Sequence, residues 1–431
     1  MGAGKLRKLM AYAAKVYDIG RLLGLVSDSR QQPPIPTALV ARILLMVGLL
    51  RIRSFNALDP KLAEPWMQKA LGEPPARRKL ASVDALTYSL HRMQEASVRN
   101  VSVQVLRKAE RNKTFREGWH GALRFVAIDG WELFSSYHRH CSACLTRTVR
   151  FGDKEVLQYY HSYVVALMLG EKLEVVLDME PVRSADVRME CHEKNVKGHE
   201  GELTAAKRLI ARLRETYGDL LDVLVFDSLY PNGPILTLAK ENKFGVISVA
   251  KKETNEPLKE AFSLWGNQPA QRVVNDDAKN EHVELWDAPG VQTLMSYDGP
   301  IRVVRARVSK KSDPTDVTNW CFVVTGKATR LPADKVVLAG RARWHIENTA
   351  FYQFVYYWHF AHVFTHNEHA LPSLLWFFFL AFNLLQLFVY RQLGGYGRDR
   401  GKDPTRTLLR LVDEFRDDLA RLQTSLAWDS S

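Results

Sequence analysis

The chain has 431 residues, 46% of them apolar, with a net charge of +12 and four cysteines. That length exceeds one ordinary compact domain, so two or three are expected, and the apolar fraction supports a real core. Four cysteines suggest a reducing compartment and argue against a disulfide framework, and MGAGKLRKLMAYAAKVYDIGRLL at the N-terminus lacks the features of a secretory leader.

The charge is placed unevenly. Residues 1–120 hold 21 Lys+Arg against 9 Asp+Glu, and the rest of the chain holds 39 of each. The whole excess is therefore N-terminal, as suits a segment that neutralises phosphates; a solvated basic surface has the same composition.

Residues 1–118 read as a helical DNA-binding domain, with helices over 5–25, 37–52, 57–71 and 82–112. QQPPIP (31–36) and GEPPARRK (72–79) punctuate them, and Ser82 with Asp84 forms an N-cap and first-turn pair. An ordinary helical bundle explains the pattern nearly as well. Residues 119–251 change to β texture: strands over 123–128, 156–169 and 173–179, a helix over 201–216, a strand over 222–227, a helix over 233–242 and a strand over 245–250. Three strands followed by alternating helix and strand is the order of an RNase H-like mixed sheet with flanking helices, an α/β fold.

Residues 252–335 read as a β-rich insertion, with strands at 282–286, 301–308 and 319–325. Its Trp265, Trp286 and Trp320 are core by default, and stacking on an unpaired base is the functional alternative. Residues 336–392 return to the α/β domain. Within them Leu371–Tyr390 is nearly as long and apolar as a membrane span. A buried helix behind a sheet reads the same way and is preferred, because Pro372, Asn383 and Gln386 interrupt the segment and it follows directly on a site-bearing helix. Residues 393–431 comprise a basic linker, GGYGRDRGKDPT (394–405), and an amphipathic helix over 404–424 capped by Asp403. Its apolar face (Leu408, Leu411, Val412, Phe415, Leu419, Leu422) suits docking or dimerisation.

Three acids stand out. Asp129 closes RFVAIDG (124–130), Asp227 closes the apolar run of VLVFDSLY (223–230), and Glu347 sits in RARWHIENTAF (341–351). A carboxylate at the end of a buried strand is costly unless paired, and a divalent metal is the usual reason for keeping several together. Oxygen-only ligands suit Mg²⁺ or Mn²⁺. Asp178 and Glu202 are the alternative acids; Glu202 opens a helix, where a carboxylate also favours the dipole.

Over roughly residues 120–390 this arrangement resembles the IS4-like DDE transposases of insertion sequences. The resemblance implies that Asp129, Asp227 and Glu347 are catalytic and hold two Mg²⁺ (or Mn²⁺) ions for in-line attack on a phosphodiester. It implies double-stranded DNA as substrate, both transposon terminal inverted repeats and target DNA. A homodimer in a synaptic complex, and a bacterial cytoplasmic, nucleoid-associated location with no membrane, follow from it too. Of the family signature Tyr-x2-Arg-x3-Glu-x6-Lys, Arg343 and Glu347 match, whereas Gly340 takes the tyrosine position and Phe354 the lysine position. A divergent branch is therefore implied. The competing readings are a catalytically inactive, transposase-derived DNA-binding protein and a protein anchored in a membrane by 371–390.

Arg343 reads equally as a clamp for a DNA phosphate and as the i,i+4 partner of Glu347, and Trp344 reads as core. In HRHCSACLTR (138–147), Cys141-x2-Cys144 pairs by spacing with the later Cys191-His192, a set able to close a structural Zn²⁺ site; reduced thiols are the alternative. His359, His362 and His366 follow Glu347 at helical spacing and could face DNA or a metal, with packing on a mixed helix the preferred reading; Cys321 reads as core.

Overall fold

The computed structural model describes residues 4–76, 78–115, 123–170, 173–251, 256–360, 362–393 and 404–429. Ten strands form one mixed sheet: β1 Phe125–Ser136, β2 Leu145–Phe151, β3 Lys154–Leu169, β4 Val175–Pro181, β5 Val223–Phe226, β6 Gly245–Val249, β7 Arg272–Asp276, β8 Glu281–Val291, β9 Ile301–Lys310 and β10 Val317–Thr325. The order is β2-β3-β1-β5-β6-β10-β9-β8-β7, with β4 beside β3. β1, β5 and β6 are parallel neighbours, and β3 and β4 run antiparallel on the other side of β1. The helices Glu202–Tyr217 and Gly233–Glu241 connect β4 to β5 and β5 to β6. This is the RNase H-like α/β arrangement expected from the sequence, and the residues explain it. VLVF of β5 is buried throughout, as a central parallel strand must be, lying between β1 and β6 with the helix Ala333–Ala342 packed on it.

The β-rich insertion continues the same sheet. β10 pairs antiparallel with β6, and β9, β8 and β7 follow outward as successive antiparallel neighbours. β2 and β7 have no counterpart in the sequence reading, since both are polar and largely exposed edge segments without an apolar run. β1 also differs: it does not end at residue 128 but continues to Ser136, because Trp131, Leu133 and Phe134 still face the core.

The N-terminal residues are helical, with more breaks than expected. The 5–25 helix divides at Asp18, whose φ of 57° ends a π turn over Ala13–Tyr17. The 82–112 helix divides into Val83–Leu90 and Glu95–Arg111, where the Gln94 amide donates to the Ser27 carbonyl (2.9 Å). Ser82 caps the first of these as expected, accepting from the Ala85 amide.

The long apolar helix is Ala370–Gln392. It is long and apolar enough to cross a membrane by length and composition, yet 94% of its most apolar window is buried inside the protein. It lies between the helices Thr37–Leu49 and Glu95–Arg111 and strand β4. Gly48 makes the crossing close, since a Cβ there would sit 2.8 Å from the Ala381 methyl. Asn383 is fully buried, and its carboxamide both donates to and accepts from the Val176 backbone of β4 (2.8 Å each), completing a ladder that β4 otherwise leaves open.

The terminal helix Pro404–Ala420 docks within the chain. Leu411, Val412, Phe415 and Leu419 are buried, and it packs on the helices Lys5–Tyr12 and Pro65–Ala70. Asp418 accepts from the Leu6 amide (2.9 Å), Lys5 pairs with Glu414 (2.6 Å), and the Trp428 indole donates to the Ala70 carbonyl (2.8 Å). The Asp403 cap, the linker 394–403, the side chain of Leu408 and the 118/119 boundary lie outside the described residues.

Candidate acidic site and a cysteine–histidine cluster

β1 and β5 run in parallel register through Phe125/Val223, Val126/Leu224 and Ala127/Val225. Two residues further on, at the point where β1 parts from β5, lie Asp129 and Asp227. The Asp227 carboxylate accepts from the Leu229 amide (2.9 Å) and its backbone carbonyl from the Ser248 hydroxyl (2.7 Å), which fixes the turn after β5. Asp129 accepts from the Gly130 amide (3.0 Å).

Glu347 reaches the same place from a different kind of element than expected. The helix Ala333–Ala342 stops short of it, and Glu347 belongs to a π turn over Ile346–Phe351. π turns of this kind recur at functional sites, where they re-aim a side chain. The Arg343 guanidinium bridges the acids, pairing with Asp129 and with Glu347 (2.8 Å). The Trp344 indole donates to the other Glu347 oxygen (2.7 Å). Trp344 is not core: it is 54% exposed and lines a small pocket with Trp320, Arg343 and Glu347.

Glu202 is the fourth acid here. It opens the helix Glu202–Tyr217, accepts from the Tyr230 hydroxyl, and lies against the β1 backbone at Gly130. A Cβ on Gly130 would sit 2.3 Å from a Glu202 oxygen, so the close approach requires glycine. Burial pushes the Asp129 carboxyl up to about 7; Arg343 opposes the rise, and Asp227, Glu347 and Glu202 add to it by repulsion. Burial likewise raises Glu202 above its usual range, with the Tyr230 hydroxyl opposing.

Asp178, the other alternative acid, is spent elsewhere. It is fully buried on β4, and both Arg99 (2.6 Å) and Arg212 (2.9 Å) hold it. Arg212 also pairs with Glu180, and Arg208 joins Glu180 to Glu200.

The two mismatched signature positions are packing sites. Gly340 presses on the Phe322 ring, which a Cβ would meet at 2.2 Å, so no tyrosine fits. Phe354 is fully buried among Trp131, Phe360, Phe379 and Phe382, where a lysine charge would be stranded. His345 pairs with Glu174 (2.6 Å). Trp265 and Trp286 are buried, as their default reading held, and Trp320 is partly so.

The cysteine cluster has different members from those that spacing suggested. Cys141 and Cys144 lie in the turn between β1 and β2, and their sulfurs approach the imidazoles of His161 on β3 and His366. Cys191 and His192 are exposed at the end of the short helix Ala185–Glu190 and take no part. Pairing of β2 with β3 sets Leu145 opposite Tyr160, and this brings His161 beside Cys144. His366 is not on the helix expected for it: helix Tyr352–Tyr356 ends early, and the following irregular segment carries His366 to the cysteines.

A scan against protein-family models finds no match for this chain, and a search of curated proteins finds none.

Proposed function

We propose that the chain is a DDE transposase, a divalent-metal-dependent enzyme that cuts and rejoins DNA at the ends of an insertion sequence. The carrying observation is that Arg343 bridges Asp129 on β1 and Glu347 in the π turn, while Asp227, just past the adjacent parallel strand β5, is near enough to repel the Asp129 carboxylate. The donor set suits Mg²⁺ or Mn²⁺; the Asp129 carboxyl is raised chiefly by burial and further by repulsion from Asp227, Glu347 and Glu202, and a bound cation would relieve that repulsion. When bound, such ions supply the positive charge that activates an attacking oxygen and stabilises a leaving one.

The chain's own groups have separate parts in this reading. Asp129 and Asp227 offer carboxylates from rigid strands, and Glu347 offers one from the turn. Arg343 orients Asp129 and Glu347 and balances their charge. Tyr230 and Gly130 set the position of Glu202 beside them. Double-stranded DNA would need basic surface to bind, and one candidate is a cleft of about 640 Å³ lined by Arg53, Lys61, Trp66, His359 and Arg416, between the N-terminal helices and the terminal helix.

A second reading, a catalytically inactive DNA-binding descendant, draws on one observation: Arg343 already occupies both Asp129 and Glu347. The deciding experiment is cleavage of supercoiled plasmid carrying the gene's flanking DNA, with Mg²⁺ or Mn²⁺. Metal-dependent cuts at the element ends that vanish in Asp129→Ala, Asp227→Ala and Glu347→Ala establish the transposase. Cutting that survives Glu347→Ala replaces the third acid, with Glu202 the next to test. Folded, DNA-binding protein that never cuts establishes the inactive reading.

A further inference from the structure

The cysteine–histidine cluster is independent of the acidic site and of any reading of its chemistry. A tetrahedral Zn²⁺ with bonds of about 2.3 Å to sulfur and about 2.0–2.1 Å to nitrogen sets its ligands about 3.8 Å apart for two sulfurs and about 3.5–3.6 Å for sulfur and nitrogen. Cys141 Sγ and Cys144 Sγ are 3.8 Å apart, too far to be bonded to each other. His161 Nε2 is 3.5 Å from Cys141 Sγ and 3.3 Å from Cys144 Sγ, and His366 Nδ1 is 3.7 Å from Cys144 Sγ. All four donor atoms lie within 4.8 Å of one another. Thiol–imidazole hydrogen bonds have similar lengths, and it is the convergence of all four donors on one point that suits an ion.

The surroundings hold the donors in place. Ser184 donates to the Ser142 carbonyl (2.6 Å), and the Ser142 hydroxyl pairs with Glu368, so the Cys-x2-Cys turn is pinned from both sides. The Phe134 ring contacts both imidazoles. Cys144 and His161 are buried, and no acid belongs to the donor set, which suits a closed structural site and leaves no open catalytic position.

We infer that Cys141, Cys144, His161 and His366 bind one structural Zn²⁺ that fastens the segment following the Glu347 turn to strands β1–β3. The four come from the turn between β1 and β2, strand β3 and a segment 222 residues from Cys144, so the ion closes a very long loop. It acts beside the Trp131–Phe351 stack, which joins β1 to the Glu347 turn itself.

The test is Co²⁺ and Zn²⁺ binding to the reduced full-length protein. One equivalent of Co²⁺ is expected to give the visible absorption of tetrahedral cobalt–thiolate, bleached by one equivalent of Zn²⁺. Protein expressed with ample zinc is expected to carry one zinc per chain by elemental analysis. Cys144→Ser and His366→Ala should lower that stoichiometry towards zero, whereas Cys191→Ser and His192→Ala should leave it at one. Binding that survives Cys144→Ser and fails in Cys191→Ser moves the site to the other pair and overturns the assignment. Folded wild-type protein without a cobalt–thiolate signal overturns it as well, and this readout needs no variant to fold.

Discussion

Two acidic clusters on the same sheet are built on opposite principles. Around β4, Asp178, Glu180 and Glu200 are interleaved with Arg99, Arg208 and Arg212, acid for guanidinium, and all three acids are buried. Where β1 parts from β5, Asp129 and Glu347 share Arg343 while Asp227 and Glu202 add repulsion, and burial with that repulsion raises Asp129 to about 7. A buried cluster balanced in this way joins elements: here Arg99 ties the helix Glu95–Arg111 to β4. A cluster left with surplus negative charge instead stores repulsion that a cation can remove. Charge balance, rather than burial, separates a structural acid from a candidate ligand.

The contrast can be broken first at Asp178. Asp178→Asn should destabilise the protein by ~3 kcal/mol, because the half-buried Arg99 and Arg212 guanidiniums lose the buried acid that balances them. Asp129→Asn should leave metal-free stability unchanged or raise it. Denaturant midpoints in EDTA measure both, and equal losses at the two positions would dissolve the distinction.

Next in size is the effect of metal. Mg²⁺ at ~100 times its dissociation constant should stabilise the wild type by ~2.7 kcal/mol. Asp129→Ala or Glu347→Ala should abolish the rise in melting temperature, and an equal rise in Asp178→Asn would show the site intact.

pH gives a signed version of the same comparison. Asp129 titrates near 7 in the folded chain, against ~3.9 when unfolded. Across that interval the folded state binds more protons than the unfolded one. This contribution to stability is therefore fully present below about pH 4 and is lost as pH rises through about 7. Melting in EDTA at a series of pH values should show that decline for the wild type and a weaker one for Asp129→Asn. Asp178→Asn should keep the decline.

The smallest effect concerns Gly130→Ala. The added methyl meets a Glu202 oxygen at 2.3 Å and must displace it. A loss of ~1 kcal/mol is expected, together with weaker metal stabilisation. Unchanged metal response would remove Glu202 from the site.

The sequence predicts β3, β5 and β6 within a residue or two, because each is an apolar run whose ends carry turn residues. It also places Asp227, since a short buried strand leaves its first polar residue at the rim. It does not separate Asp178 from Asp129. Both follow apolar residues in strand-like runs, and the guanidiniums that claim Asp178 come from residues 99 and 212, on two different helices. The cysteine cluster divides the same way. Cys-x2-Cys is local and legible, whereas His161 needs the β2–β3 register and His366 stands out only as one of three spaced histidines after Glu347, with nothing to link it to the cysteines. A hairpin pairing of 145–151 with 154–160 was the available clue to His161, but charged and polar residues hid it among the loops. The glycine and phenylalanine at the signature positions look like omissions in the sequence; packed on Phe322 and among aromatic rings, they are positions with no room for another residue.

The docking of Pro404–Ala420 on Lys5–Tyr12 has a consequence for synthesis. Leu6 and Asp418, which share a hydrogen bond, are 412 residues apart. At ~5–20 residues per second, a ribosome needs on the order of 20–80 s to deliver the second partner after the first. During that interval the apolar faces of Lys5–Tyr12 and Thr37–Leu49 await both the long helix and the terminal one. The helical layer therefore closes only after the Asp418 segment has left the ribosome, and until then the early helices carry exposed apolar surface that favours aggregation.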